Sequence, residues 1–223
     1  VPIKRLHRKI ASTVLKATHG QGFALAGGNA LIAHGIGSRP TSDVDLFTST
    51  PGAVEAAADD VQDALRRAGF RVQPRDKTGG GLADIFPGMG EGLAEYVVSE
   101  STLAGPGSAV MLQMSFFDRA LPAVEIAGVG PVLDVEDVLG GKVAALAARS
   151  EPRDYIDTAA ALAHYRADIL IRWARRLDPG LAAREFTDAA ARLDRMPDAL
   201  FAQYDLCAQD IAVLRKRFAD WPR

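Results

Sequence analysis

Gly22-Phe-Ala-Leu-Ala-Gly27-Gly28-Asn-Ala-Leu-Ile-Ala-His34-Gly-Ile-Gly-Ser-Arg39-Pro-Thr-Ser-Asp43-Val-Asp45-Leu-Phe47 is the stretch on which the reading of this chain turns. A short apolar run, Phe23 to Ala26, ends at two glycines. A short helix-like run follows from Asn29 to His34, then a Gly/Ser/Pro turn, then a second strand carrying Asp43 and Asp45. Strand side chains alternate between faces, so the two aspartates share one face and Val44 turns into the core. Two carboxylates that close repel unless a cation lies between them, and carboxylate oxygens suit Mg²⁺. Gly27 and Gly28 end a strand and open a helix, where backbone N–H groups approach a phosphate closely. A phosphate cradle and a carboxylate pair joined by a short helix suit a nucleoside triphosphate with Mg²⁺ (or Mn²⁺). The competing reading is a Gly-rich turn between two strands, with aspartates on an exposed sheet face.

Composition sets the bounds around this stretch. The 223 residues suffice for one large domain or two small ones, and 48% hydrophobic content is ample for a core. A formal net charge of −2 gives no global basic field, so nucleic-acid binding would need a local patch. A single cysteine, Cys207, excludes an intrachain disulfide framework and a cysteine-based zinc cluster, and it reads as a small core residue of a C-terminal helix. His7, His19, His34 and His164 show no metal-ligand spacing. No run approaches the roughly 20 apolar residues of a membrane span, and no secretory signal is visible. A cytoplasmic protein is the expectation.

Elsewhere the hydrophobic period switches between helix and strand. Residues 2–18 predict a helix with Lys4, Arg5, Arg8 and Lys9 outside, either a basic surface near RNA or a partner, or a solvated face. Residues 52–68 predict an amphipathic helix capped by Gly69, and a strand begins at Phe70. Lys77-Thr78 precedes three glycines, the reverse of the Walker A order, which points to a surface loop or hairpin tip. Leu93–Glu100 and Ala109–Phe117 read as strands, and residues 123–133 as one more strand and turn. Asp134 is placed to cap a helix running through Lys142 to Arg149, and Pro152 opens another on which Asp154 and Asp157 lie one turn apart. From Leu162 onward the chain reads as helices, the last carrying Leu200, Tyr204, Ile211, Leu214 and Phe218. Their arginines are interleaved with acids, which favours a solvated bundle surface over an RNA-binding face.

The ordered combination of Gly27-Gly28 with Asp43-Val-Asp45 resembles the core signature of the DNA polymerase β-like nucleotidyltransferase superfamily. The text Ala-Gly-Gly-Asn-Ala-Leu followed by Arg-Pro-Thr-Ser-Asp-Val-Asp-Leu-Phe is most similar to the AbiEii/AbiGii toxin family, and Lys142 followed by Arg153-Asp154 adds to the likeness. The resemblance implies a nucleotidyltransferase-like toxin of toxin–antitoxin or phage-abortive systems. It implies that Gly27 and Gly28 hold phosphates, that Asp43 and Asp45 bind Mg²⁺, and that Arg39 touches the triphosphate. It further implies that Lys142 contacts the transferring phosphate, with Asp154 as its polar partner in the active site. From the residues alone, Arg39 equally reads as an ion-pair partner of an acidic neighbour, Lys142 as an exposed lysine, and Asp154 as a partner of Arg149 or Arg153. The superfamily carries a third carboxylate on a later strand, where this chain offers Gln113 or Ser115, so that acid is missing and a full two-metal mechanism is in doubt.

The expected fold is α/β: a mixed sheet flanked by helices over residues 1–150, then a helical C-terminal region, 151–223, closing the cleft. The expected activity is Mg²⁺-dependent transfer of a nucleotide from an NTP to an RNA acceptor such as a tRNA 3′ end, with a cognate antitoxin as partner and no membrane. The alternatives are transfer to an aminoglycoside-like small molecule, transfer to a protein hydroxyl, and a nucleotide-binding module that has lost its chemistry.

Overall fold

The computed structural model describes residues 2–37, 39–75, 92–100 and 109–223, so the stretch around Lys77 and Thr78 lies outside the described residues. These residues form two compact units. A sheet unit comprises Pro2–Ala33 and Thr41–Leu133, and a helical unit comprises His34–Pro40 and Asp134–Arg223. The break after Leu133 places the helix of Lys142, and the short segment 34–40, with the C-terminal helices rather than with the sheet.

The sheet unit runs α1 (Arg5–Ala17), β1 (Ala24–Leu25), α2 (Gly27–Ala33), β2 (Asp43–Thr48), α3 (Ala53–Arg67), β3 (Phe70–Pro74), β4 (Leu93–Glu100), β5 (Ala109–Phe116), β6 (Val124–Ile126) and β7 (Gly130–Val132). Its seven strands lie in the order β3-β4-β5-β2-β1-β7-β6. β2 runs parallel to β5 and β1 parallel to β7, and the remaining neighbours are antiparallel. The fold is thus the expected mixed α/β arrangement. Residues 123–133 differ in detail, forming a hairpin of two short strands instead of one.

Strand alternation sets the two faces. Val44 and Leu46 of β2 stand opposite Leu112 and Met114 of β5, and all four are fully buried. Helices α1 and α3 pack on each other and against these strands, and Ile10 and Val14 of α1 and Val54, Val61 and Leu65 of α3 are buried. Each such aliphatic side chain contributes about 1.5–3 kcal/mol by leaving water. The alternate residues, Asp43, Asp45 and Phe47, therefore point to the opposite face and stay partly exposed.

The helical unit contains α4 (Val135–Arg149), α5 (Pro152–Leu162), α6 (Ala167–Leu177), α7 (Ala183–Arg195), α8 (Ala199–Ala202) and α9 (Ala208–Arg217). Asp134 caps α4 by accepting from the Glu136 N–H at 2.9 Å, and Pro152 opens α5, both as the sequence predicts. The final segment is two helices, not one. The chain turns between α8 and α9 at Asp205, whose φ of 61° interrupts the helical path. Cys207 precedes α9 and is exposed, so its predicted place in the core is corrected. The core is aromatic: Tyr155 meets Phe201 and Phe218 edge-on, and Trp221 meets Phe218 and Phe186. The polar ends are satisfied, Tyr155 donating to the Ala189 carbonyl at 2.8 Å and Trp221 to that of Phe186 at 3.0 Å. No described helix is long and apolar enough to cross a membrane.

Helix α4 approaches α6 at Gly140, where a Cβ would lie 2.8 Å from the Trp173 carbonyl oxygen, whereas a Cβ on the adjacent Gly141 meets nothing within 4 Å. We expect Gly140→Ala to destabilise the protein by about 1–3 kcal/mol through this overpacking, and Gly141→Ala to stabilise it by about 0.5–1 kcal/mol by relieving backbone entropy. Urea unfolding of the two variants beside the native chain measures the contrast.

Candidate functional site

The sheet unit brings four of the candidate residues together: Gly27, Gly28, Asp43 and Asp45. The cause is the antiparallel pairing of β1 with β2, Ala24 opposite Phe47 and Leu25 opposite Leu46. Continued one step, that register sets Ala26 against Asp45, and the Ala26 N–H donates to the Asp45 carbonyl at 2.8 Å. The chain then turns into α2 at Gly27, with φ of 60°. A Cβ on Gly27 would fall 1.7 Å from Asp45 Oδ2, so the Asp45 carboxylate lies directly against the glycine backbone. A Cβ on Gly28 would meet Thr41 Cβ at 3.2 Å, a tight approach that a small shift relieves. Position 27 favours glycine by both conformation and space, whereas at 28 the close approach of Thr41 disfavours a larger residue only mildly.

Residues that the sequence reading left unassigned tie this turn to β2. Asn29, fully buried in α2, donates through Nδ2 to the Asp43 carbonyl at 2.8 Å. The same nitrogen lies 3.4 Å from Nδ1 of buried His7 on α1. Burial, the largest influence, and the charge of Lys4 hold the His7 pKa below its ordinary value, against the opposing effects of Asn29 and Asp43. Asn29 Oδ1 is buried with no hydrogen-bond partner among the described residues. Thr41 Oγ1 lies 3.3 Å from both the N–H and the carbonyl of Asp43.

Strand register places the two residues considered for a third acid. Gln113 on β5 stands directly opposite Asp45, and Ser115 opposite Phe47. One strand further, Glu95 of β4 stands opposite Gln113. Paired strand residues share a face, so Asp45, Gln113 and Glu95 form a row across the sheet. Glu95 was not singled out in the sequence because the pairing of β4 with β5 is invisible there. Among the described residues no set of three His, Cys, Asp or Glu side chains converges to hold a metal. The donor set is the pair Asp43 and Asp45, and this fits Mg²⁺, which is typically held by one or two carboxylates with the substrate phosphates completing its shell.

In the helical unit a second cluster forms around Asp157 of α5. Arg39 grips its carboxylate with two hydrogen bonds, Nε to Oδ1 and an Nη to Oδ2, each 2.8 Å. Lys142 of α4 reaches Oδ2 at 2.9 Å. The Asp157 side chain is 4% exposed, and those of Arg39 and Lys142 are 12% and 16% exposed. Burial acts most strongly on Asp157 and pushes its pKa upward. The charge of Lys142 and the bonds from Arg39 outweigh it together and hold the carboxyl below its ordinary range. Arg39 is held above its ordinary value, since the Asp157 contacts overcome the burial that alone would lower it.

Arg39 and Lys142 thus meet on one carboxylate, but Asp154 is not the partner of Lys142. Asp154 faces the other way along the helix: its oxygens accept from Arg149 at 2.8 and 2.9 Å, and one also accepts from the Glu151 N–H at 3.1 Å. The reason is its place in the first turn of α5, where a carboxylate folds back onto the free N–H groups. Asp157, one turn on, faces α4 instead. Its aspartate inside the otherwise apolar run Tyr155-Ile-Asp-Thr-Ala-Ala was the available signal.

Comparison with known proteins gives a family and a fold. The family described as "Nucleotidyl transferase AbiEii toxin, Type IV TA system" matches residues 10–220. Among solved structures, the chain is similar to MenT4, a nucleotidyltransferase toxin from Mycobacterium tuberculosis H37Rv. The TM-score is 0.64 at 19% identity, over 96% of this chain and 82% of that one. It is also similar to JHP933 from Helicobacter pylori, with TM-score 0.59 at 16% identity over 95% of this chain and 88% of that one. A putative nucleotidyltransferase from H. pylori gives TM-score 0.57 at 16% identity, over 95% and 91% of the two chains. These likenesses establish the fold. No curated protein matches the sequence.

Two predictions follow from the clusters. Asp157→Asn removes the charge between two cations and should cost about 3–5 kcal/mol at neutral pH, the usual penalty for breaking a buried pair. Because the folded carboxyl titrates below its unfolded value of about 3.9, its stabilisation is complete above that pH and is lost as pH falls through the folded value. The native melting temperature should therefore drop more steeply below about pH 4 than that of Asp157→Asn, measured by thermal unfolding across pH. For the glycines, Gly27→Ala should abolish NTP binding in equilibrium dialysis while Gly28→Ala weakens it only several-fold.

Proposed function

Since the chain belongs to the AbiEii family of nucleotidyltransferase toxins, we propose that it transfers a nucleotide from an NTP to the hydroxyl of an RNA acceptor, such as a tRNA 3′ end. The observation that carries this reading is the Asp45 carboxylate lying against the Gly27 backbone, with Asp43 on the same strand face. That contact sets a pair of hard anionic ligands beside a turn whose first helical N–H groups have no intrahelical partner.

In this reading the N–H groups at Gly27 and Gly28 hold the terminal phosphates. Asp43 and Asp45 hold Mg²⁺, which when bound supplies positive charge against the triphosphate. Asn29 and Thr41 fix the backbone of Asp43, so the strand carrying the carboxylates does not shift against the phosphate turn. Asp157 holds Arg39 and Lys142 in fixed rotamers, and the pair carries one positive charge beyond what the carboxylate neutralises. Lys142 is the contact to the transferring or leaving phosphate, and a preset cation there stabilises charge that develops in the transition state. Asp154 serves the start of α5 and the orientation of Arg149. The acceptor hydroxyl attacks the α-phosphorus in line, its oxygen forming the new bond while the bond to pyrophosphate breaks. A cognate antitoxin and a cytoplasmic setting go with the toxin reading.

A specific observation favours a second reading. Gln113, directly opposite Asp45, is uncharged and cannot take a proton from the acceptor. This supports a nucleotide-binding module without chemistry.

The two readings separate on induction in a bacterial host of the native chain and of Asp43→Ala/Asp45→Ala, with RNA from each incubated with labelled NTPs and purified protein. The expected result is growth arrest by the native chain alone, with label entering small RNA in the presence of Mg²⁺. Mg²⁺-dependent NTP binding with no label in RNA and no arrest would overturn the RNA-transferase reading.

A further inference from the structure

The helical unit contains a pocket that the site described above does not use. It has a volume of about 440 Å³ and is lined by residues of α5, the α8–α9 turn, α9 and the 34–40 segment. Ile156, Ala159 and Leu214 form an apolar, buried floor. Tyr204 forms a wall, and the Arg39 guanidinium lies 5.8 Å from the centre of its ring. Asp205, Asp210 and Arg217, all exposed, stand at the rim. Asp205 is the residue whose φ of 61° breaks the helix, a left-handed turn conformation that aspartate adopts more readily than most residues.

We propose that this pocket receives the base of a nucleotide, stacked against Tyr204, with its phosphate directed to Arg39 and Lys142. The inference rests on the nucleotidyl-transfer reading for the kind of ligand and on the pocket for its place. The volume lies in the range of small-ligand sites. An aromatic wall over an aliphatic floor matches the flat apolar faces of a base, and stacking on aromatic rings is the common means of holding unpaired bases. Arg39 joins the two ends of the ligand. It lines the pocket beside Tyr204, and through Asp157 it shares a carboxylate with Lys142. A planar apolar group next to a cation pair is the pattern of a nucleotide. The rim carboxylates only accept hydrogen bonds, so they favour bases with an exocyclic amino group over uracil. Asp210 already accepts from the Cys207 N–H at 3.0 Å, which leaves Asp205 as the main selector.

Two sources supply such a ligand: the incoming NTP and the terminal nucleotide of the RNA acceptor. Equilibrium binding of ATP, CTP, GTP and UTP, of a short single-stranded RNA and of inorganic triphosphate, to the native full chain, Tyr204→Phe, Tyr204→Ala and Asp205→Asn, tests the proposal. Tyr204→Ala should weaken nucleotide binding by about 5- to 150-fold, the effect of removing one stacking ring, while Tyr204→Phe binds as the native chain. Inorganic triphosphate, which has no base, should bind all four proteins alike and serves as the check that each is folded. Asp205→Asn keeps a residue type that tolerates positive φ and should narrow the preference against UTP by about 2- to 10-fold. A loss confined to NTPs places the incoming base in the pocket, and a loss confined to RNA places the acceptor's base there. NTP and RNA affinities unchanged in both Tyr204→Ala and Asp205→Asn overturn the pocket assignment. That result leaves nucleotidyl transfer standing, because labelling of RNA by the native chain is scored separately. Weakened binding by the pocket variants without RNA labelling by the native chain would uphold the pocket and remove the transferase.

Discussion

A buried carboxylate shared by two cations is the interaction on which the helical half of this protein depends. Asp157 is out of water on α5, and an isolated charge there would be too costly to keep. Arg39 and Lys142 make it tolerable, one with a two-point grip and the other with a single short contact. Neither cation comes from α5 itself. Lys142 belongs to α4, and Arg39 to the segment that in the sequence connects α2 to β2. The carboxylate therefore fixes α4 against α5 and anchors segment 34–40 to the helices. The arrangement also orders two long, flexible cationic side chains before any ligand arrives, so their rotamer entropy is not lost again on binding.

The sheet unit solves a different problem with the same economy of parts. Phosphate and metal sites need anions and backbone donors side by side without collapse of one onto the other. The antiparallel pairing of a two-residue strand with β2 sets Ala26 opposite Asp45, and the glycine that follows lets the carboxylate lie against the main chain. Asn29 then holds the other end of the pair through the Asp43 carbonyl. The cost is visible in the structure: Asn29 Oδ1 is buried without a hydrogen-bond partner among the described residues, a penalty of about 1–3 kcal/mol. Natural folds keep such a penalty where the geometry it secures is needed.

Most of the sheet side was legible in the sequence because its signals are local. Alternation placed Asp43 and Asp45 on one face, the glycine pair marked the turn, and the apolar periods gave the main helices and strands. The helical side was legible only in part. Lys142 and Arg39 were selected through family likeness, and their meeting on Asp157 was not foreseen, because Arg39 and Asp157 are separated by 118 residues and no local rule pairs them. The likeness also assigns Asp154, and not Asp157, as the partner of Lys142. Only the direction each faces on α5 separates a capping carboxylate from one turned to α4. The same limit hid Glu95, whose place in the row with Asp45 and Gln113 comes from strand register, and the Tyr204 pocket, which exists because Asp205 bends the last helix in two.

Gln113 is the feature that sets how much chemistry the site retains, and magnitudes decide its weight. A general base contributes about 10²–10⁴ to a rate. Enzymes accelerate their reactions by about 10⁶–10¹⁷ in total, and nucleotidyl transfer draws most of its acceleration from positioning and charge stabilisation. In the proposed reading those larger effects come from the carboxylate pair beside the glycine turn. An amide opposite Asp45 also adds no further negative charge to a face that already carries Asp43, Asp45 and Glu95. On these magnitudes the substitution slows proton removal from the acceptor without dismantling the site, and an acceptor whose hydroxyl is held in line needs the base least. On the proposed reading, an uncharged residue opposite Asp45 is therefore weak grounds for a silent module.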